Sequence, residues 1–275
     1  MDLFQSIILG ILQGLTEFLP ISSSGHVLFV PALLGWDDPG AAFTAVIQIG
    51  TEAAVLIYFR KDLWSIAQTW LASLRRPELR GELNARMGWF LIIATLPIAL
   101  LGYTFQDQIE TAARNLWLVG SMLIVFGLIL GRADRIGSHR RGIGQLSFRD
   151  GVIVGLAQCF ALIPGVSRSG ATISAGLFLG LEREAAARFA FLLAIPAVVL
   201  SGLYELYKLL SGKEQFDEPM INIAIATACA FVVGYAVIAW FLRYLGTHSM
   251  ALFVGYRLVV GSGILILTAA GAISV

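Results

Sequence analysis

The sequence predicts an all-α polytopic membrane protein, with six transmembrane helices plus two re-entrant helical hairpins in an inverted-topology repeat. Three observations lead there. Of 275 residues, 57% are hydrophobic and only 13% charged, with apolar runs longer than a soluble core of this size needs. Two apolar stretches are interrupted by breaks rich in glycine and serine, at residues 20–26 and 164–170. Arginines and acids gather in different loops, which assigns sides to the membrane.

Taken in order, residues 3–19 are apolar enough to enter a bilayer yet hold Gln13 and Glu17, and they stop at the first break. A second piece, residues 27–34, ends at Gly35, Trp36, Asp37, Asp38, Pro39 and Gly40. Eight residues make a helix of about 12 Å, far short of a hydrocarbon core of roughly 30 Å, so the pair reads as a re-entrant hairpin. Residues 42–59 form a full span closed by Arg60, Lys61 and Asp62. The amphipathic connection 63–87 carries Arg75, Arg76, Arg80 and Arg86 and is therefore cytoplasmic. Residues 88–103 return, kinked at Pro97, to a loop with Asp107, Glu110 and Arg114.

Residues 116–130 cross back to a loop holding Arg132, Arg135, Arg140, Arg141 and Arg149, the firmest cytoplasmic segment of the chain. Residues 151–163 and 171–181 flank the second break as a second hairpin, closed by Glu182, Arg183 and Glu184. Residues 188–206 lead out to an acidic loop at 205–218, residues 220–242 lead in to Arg243, and residues 250–273 lead out. The first hairpin then dips from outside and the second from inside. At a fixed offset of 145, Gly10 matches Gly155, Gln13 matches Gln158, Ser22 matches Ser167, Ser24 matches Ser169 and Gly25 matches Gly170, while Pro20 and Pro164 miss by one. Residues 1–275 thus read as one domain of two inverted repeats, about 1–131 and 150–275, joined by the basic loop. Secondary transporters use such repeats with broken helices at the midplane.

Composition also excludes. A formal charge of +1 and segregated arginines give no footprint for nucleic acid. Cys159 and Cys229 stand alone in apolar sequence and read as small core residues. The start, with Asp2 and no basic segment, does not resemble a cleaved signal peptide.

The chemistry concentrates at the breaks. Arg168 is the only charge between Gly151 and Leu181. A guanidinium at membrane depth costs roughly 2.5–3.5 kcal/mol on insertion scales and needs an anion or a wet cavity. No carboxylate lies near it in sequence. Its planar fork suits the phosphate oxygens of a ligand; the alternative is a structural arginine reaching a helix-end carbonyl. If the hairpins meet tip to tip, Glu17, Ser22, Ser23, Ser24, His26, Ser167, Arg168, Ser169 and Thr172 converge. Gly25 and Gly170 would stand where the second half-helices begin, aiming N–H groups and positive dipole ends at an anion. Gln13 and Glu17 share a helical face. A carboxylate facing a phosphate site implies a divalent cation between them, Mg2+ first and Ca2+ second, held by Glu17 with Gln13 as a neutral ligand. The alternative is a direct Glu17–Arg168 ion pair. His26 serves either as general acid or base or as a hydrogen-bonded helix start. The serines are nucleophile, phosphate donors or caps. Gln48 and Glu52 share a face of one span and are assigned a supporting role, and His139 and His248 fall in cytoplasmic loops without one.

The motif Gln13-Gly14-Leu15-Thr16-Glu17-Phe18-Leu19-Pro20 with Ser22-Ser23-Ser24-Gly25-His26, and the motif Pro164-Gly165-Val166-Ser167-Arg168-Ser169-Gly170-Ala171-Thr172, resemble the signatures of the undecaprenyl-diphosphate phosphatases, the bacitracin-resistance family of bacterial inner membranes. The resemblance spans essentially the whole chain. It implies removal of the terminal phosphate of a C55 polyprenyl diphosphate, which returns the carrier lipid to peptidoglycan synthesis, with a divalent cation required. By position it puts the acidic motif on Gln13 and Glu17, the serine–histidine element on Ser22, Ser23 and His26, and the arginine motif on Ser167, Arg168, Ser169 and Thr172. Many members carry glutamate where this chain has Gln13, which makes Glu17 the essential carboxylate. The resulting expectation has Arg168 and the turn amides bind the diphosphate, Ser23 attack phosphorus or orient water, and His26 move the proton. The site is expected to face the periplasm, in a protein surrounded by membrane lipid and open to forming a homodimer. The competing reading is a transporter or flippase of a phosphorylated polyprenyl lipid.

Overall fold

The computed structural model describes residues 1–113, 115–211 and 218–274, so Arg114 and residues 212–217 of the expected acidic loop lie outside the described residues, as do the side chains of Asp107, Glu110 and Glu205. Twelve α-helices follow one another among those residues: α1 (Leu3–Phe18), α2 (Ser23–Leu34), α3 (Gly40–Tyr58), α4 (Arg60–Arg75), α5 (Leu83–Thr104), α6 (Gln106–Ala113), α7 (Leu116–Ile136), α8 (Phe148–Gln158), α9 (Arg168–Phe178), α10 (Arg183–Leu210), α11 (Met220–Leu245) and α12 (Ala251–Ala269). Four of them, α5, α7, α11 and α12, are long and apolar enough to cross a membrane. α3 with α4 makes a fifth candidate, a pair bent by 69°. α10 has 28 residues, about 42 Å of helix.

Helix ends differ from the apolar pattern for identifiable reasons. The second half of each broken pair begins earlier than expected, at Ser23 instead of residue 27 and at Arg168 instead of 171. Polar residues after a serine cap form the first turn, and hydrophobicity alone misses them. α8 stops at Gln158 and tightens into a 3-10 turn, Cys159–Leu162. The connection after Phe59 is a continuing helix, α4, with Trp64 and Leu71 exposed among its basic residues. The loop after α5 contains the short helix α6.

Packing brings the breaks together. α1 and α3 both lie on α11, and close approach is possible because Gly10 and Gly50 lack side chains: a Cβ would come within 2.2 Å of the carbonyl oxygens of Ala226 and Thr227 respectively. α5 packs on α8 and on α10, and α7 packs along α12. Asp134, at the end of α7, accepts from Arg183 Nε at 2.5 Å and from the Met250 amide at 3.0 Å, joining the starts of α10 and α12. Arg188 of α10 donates to Asp62 of α4 at 2.6 Å. The main apolar core runs from Phe18 and Phe59 through Phe189, Phe191, Phe241 and Phe253.

Candidate active site at two helix breaks

Each break is a serine in the left-handed region. Ser22 has φ 75° and Ser167 has φ 73°, and each is the cap of the helix that follows. A non-glycine residue held there is strained by about 1–3 kcal/mol and persists only where its surroundings fix it. Ser167 Oγ accepts from the Gly170 amide at 3.1 Å, whereas Ser22 makes no side-chain cap bond. The hydroxyls of Ser22 and Ser24 lie 3.3 Å apart, and those of Ser167 and Ser169 lie 3.1 Å apart.

The first residues after these caps, Ser23 and Arg168, meet on one carboxylate. Arg168 Nη2 donates to Glu17 Oε1 at 2.5 Å, bridging 151 positions of sequence, and Ser23 Oγ donates to Glu17 Oε2 at 2.6 Å. Gln13 Nε2 adds a third bond to Oε2 at 3.0 Å. Glu17 and Arg168 have side chains 9% and 19% exposed, so the pair is screened from bulk solvent but open to a cavity. Ser169 Oγ donates to the Leu19 carbonyl at 3.0 Å, a further bond between the breaks.

Glu17, Ser22, Ser23, Ser24, Ser167 and Arg168 line one cavity of about 560 Å³. Its apolar flank is formed by the second half of α5, including Ile98 and Gly102, by Leu162, and by Ala197, Leu200 and Tyr204 of α10. Gln48 of α3 also lines it. A polar floor of charge and hydroxyls beside an apolar groove is the shape needed by a ligand with a phosphorylated head and a greasy tail.

Several expected site residues do not line this cavity. His26, expected to move a proton, is buried, with Nδ1 2.7 Å from the Ser22 carbonyl and Nε2 2.7 Å from Tyr256 Oη. A carbonyl only accepts, so Nδ1 carries the hydrogen and Tyr256 donates to Nε2. The ring thus ties the first break to α12 and does not line the cavity. Thr172 donates to the Arg168 carbonyl at 2.8 Å, and Ser169 is spent on Leu19, so both support the second break. Gly25 and Gly170 are third in their helices, and the Gly170 amide is taken by Ser167. Gln13 faces Glu17 through its amide N–H, as a donor and not as an oxygen ligand.

Among the described residues no group of three or more His, Cys, Asp or Glu side chains gathers where a metal ion would be held. The oxygen donors lining the cavity are the Glu17 carboxylate, serine hydroxyls, the amides of Gln48 and Gln106 and the hydroxyls of Tyr103 and Tyr204. An all-oxygen set with one carboxylate suits a hard cation that completes its shell with water and phosphate oxygens, and Mg2+ behaves that way.

Sequence reading missed Arg257, a wholly buried arginine of α12. Its signal was present, a lone charge within an apolar span. Glu52, placed in a supporting role, lies buried beside Gly202, where a Cβ would come within 2.7 Å of its Oε2, and it interacts electrostatically with both Arg168 and Glu17.

A family model described as bacitracin resistance protein BacA matches residues 6–263. Among curated proteins, an undecaprenyl-diphosphatase of Nocardioides sp. is 57% identical, covering 99% of this chain and 99% of its own. One from Mycolicibacterium smegmatis is 54% identical over 100% of this chain and 99% of its own, and an undecaprenyl-diphosphatase 3 of Frankia alni is 54% identical over 100% and 97%.

Proposed function

Because the chain belongs to the bacitracin resistance protein BacA family, we propose that the cavity at the two helix breaks is where it hydrolyses undecaprenyl diphosphate to undecaprenyl phosphate and inorganic phosphate. The observation that carries this assignment is the meeting of Ser23 and Arg168 on Glu17 at the floor of an apolar-flanked cavity.

Arg168 exchanges its bond to Glu17 for the diphosphate oxygens, which its fork accepts in bidentate geometry. The starts of α2 and α9 face the same point and add the positive ends of two helices. Glu17, released from Arg168, keeps its hydrogen bond to Ser23 and takes the hydroxyl proton as Oγ attacks the terminal phosphorus. The bond from that phosphorus to the bridging oxygen breaks, undecaprenyl phosphate leaves, and water then cleaves the phosphoserine to release inorganic phosphate. Fixed positive charge on the transferring group supplies most of the acceleration. A divalent cation, Mg2+ before Ca2+, would be held by Glu17 with the substrate's oxygens, and when bound it neutralises charge between the two phosphates. The apolar flank along α5 and α10 receives the prenyl chain.

The same reading gives six spans and two re-entrant pairs in an inner membrane. Mirrored packing supports it. If α1–α3 correspond to α8–α10, and α5 and α7 to α11 and α12, then α1 on α11 mirrors α8 on α5, and α3 on α11 mirrors α10 on α5. The cavity is lined by late residues of α5 and α10 and by Gln106 and Ile109 of α6. These lie toward the helix ends opposite the arginine-rich segment between α7 and α8, and the positive-inside rule makes that opening periplasmic.

Phosphate release by the detergent-purified protein from a long-chain polyprenyl diphosphate, with Mg2+ or with chelator, tests the reading for wild type and Arg168→Ala. Release that requires both cation and arginine supports it. Tight lipid binding without release shifts the reading to a carrier or flippase.

A further inference from the structure

One side chain outside the cavity grips both breaks. Arg257 is 0% exposed, and its nitrogens reach five backbone carbonyls. Nε donates to Leu123 at 3.0 Å, Nη1 to Pro20 at 2.9 Å, and Nη2 to Gly165 at 2.9 Å, Val166 at 3.0 Å and Met122 at 3.2 Å. Among the described residues no carboxylate pairs with it. Burying an uncompensated guanidinium at membrane depth is expensive, and an apolar residue would fill the seam between α7 and α12 without that expense.

The identity of the acceptors explains the arrangement. Pro20 stands two residues before Ser22, and Gly165 and Val166 stand immediately before Ser167. The carbonyls of Leu123 and Met122 anchor the same group to α7. Local bonds such as Gly170 to Ser167 fix one turn internally, but they do not fix one turn against the other. Arg257 does so from behind, with each strained serine one or two residues from a carbonyl it holds. Glycines make room for it: a Cβ at Gly170 would come within 3.1 Å of Nη1, and one at Gly127 within 3.2 Å of its Cβ.

We propose that Arg257 is a positioning residue of this enzyme: by holding the carbonyls of Pro20, Gly165 and Val166 in one grip, it fixes the two breaks in the register that brings Ser23 and Arg168 onto Glu17. The inference rests on the phosphatase reading above. Lysine, a point charge with three donors, cannot reach carbonyls on three sides at once. A shift of about 1 Å in a reacting group is enough to cost on the order of 10²-fold in rate.

The test measures phosphate release against lipid concentration, with melting temperature in detergent, for wild type, Arg257→Lys, Gly127→Ala and Ile264→Ala. Ile264 is fully buried in the α7–α12 seam and is not among the groups that Arg257 holds, so its truncation lowers the melting temperature and leaves kcat intact. Folded Arg257→Lys is expected to lose about 10²-fold in kcat with KM within about threefold, because the grip sets geometry and not affinity. Wild-type kcat in folded Arg257→Lys, or a loss confined to KM, overturns the proposal. Should Arg257→Lys not stay folded, Gly127→Ala decides: it presses on the arginine stem from a helix remote from the cavity. A several-fold loss of kcat at an unchanged melting temperature supports the role, and an unchanged kcat overturns it. A wild type that binds lipid without releasing phosphate defeats the phosphatase reading itself and takes this inference with it, a result distinct from an active wild type matched by Arg257→Lys.

Discussion

The two breaks repeat one backbone and diverge in the side chains it carries. Ser22 and Ser167 share a left-handed conformation, each followed two residues later by a second serine and three later by a glycine. The likeness extends to the outer ends: α1 opens with a capping box between Asp2 and Gln5, and α8 opens with one between Ser147 and Asp150, again 145 positions apart. Gly10 lies against the backbone of Ala226 as Gly155 lies against that of Ala94. Yet the position after the cap is Ser23 in one half and Arg168 in the other, and the position of the carboxylate Glu17 in the first half is Leu162 in the second. Similar scaffolds therefore supply different tools to one spot: hydroxyl and carboxylate from the first half, cation from the second. The difference teaches that the repeat supplies geometry and the departures from it supply chemistry.

Erasing the largest departure should have the largest effect. Arg168→Ser turns the second tip into a copy of the first, and phosphate release is expected to fall by about 10³-fold or more, since the fixed charge on the transferring phosphoryl group is lost. Activity within tenfold of wild type would sink the assignment. Ser23→Ala removes the hydroxyl while leaving Arg168, and a loss of about 10²-fold or more is expected, with no phosphoserine trapped by acid quench. If a phosphoenzyme appears in wild type and vanishes in the variant, Ser23 is the nucleophile; partial activity and none in either points to water.

Two smaller changes probe the shared scaffold. Glycine relieves left-handed strain, so Ser22→Gly is expected to raise stability by about 1 kcal/mol, read as a higher melting temperature. Ser167→Gly should gain less, because it also loses the cap to Gly170, worth a few tenths of a kcal/mol against glycine. Equal gains would mean that the two turns are held alike. At the outer end of the second half, Arg141 acts as a bolt: it donates to Asp150 at 2.6 Å and also to the carbonyls of Gln145 and Leu179. Burial alone would raise the Asp150 carboxyl, but the bonds from Arg141 and Ser147 outweigh it and hold it below the usual carboxylate range. A depressed folded value stabilises above the unfolded value of about 3.9, and that stability is lost as pH falls through the folded one. Melting temperature should therefore drop on acidification below about pH 4 in wild type, and Asp150→Asn should start lower and respond less.

Much of this was legible in the chain. The glycine and serine content at residues 22–25 and 167–170 marked both breaks as turns, and the offset of 145 residues related one to the other. The density of polar groups there located the cavity, and Glu17, Ser23 and Arg168 did converge on it. Less legible was which polar residues face inward. His26, Ser169 and Thr172 carry the same chemistry as their neighbours, but their hydrogen bonds run to carbonyls behind the site. Direction is set by tertiary packing, and sequence spacing within an irregular break does not specify it. The Glu17–Arg168 pair was one of two open alternatives because its members stand 151 positions apart. Arg257 was passed over because its acceptors are backbone carbonyls, which every residue has and no motif records.

The position of that arginine bears on how the protein comes to be. Pro20 and Gly165 emerge from the ribosome long before residue 257, so the chain threads most of its length into the membrane with both tips present and untied. Only when α12 follows does the guanidinium reach the carbonyls of both tips and of α7. Vectorial synthesis thus makes both tips before the arginine that grips them, so the joining of the two breaks follows the insertion of the segments it joins.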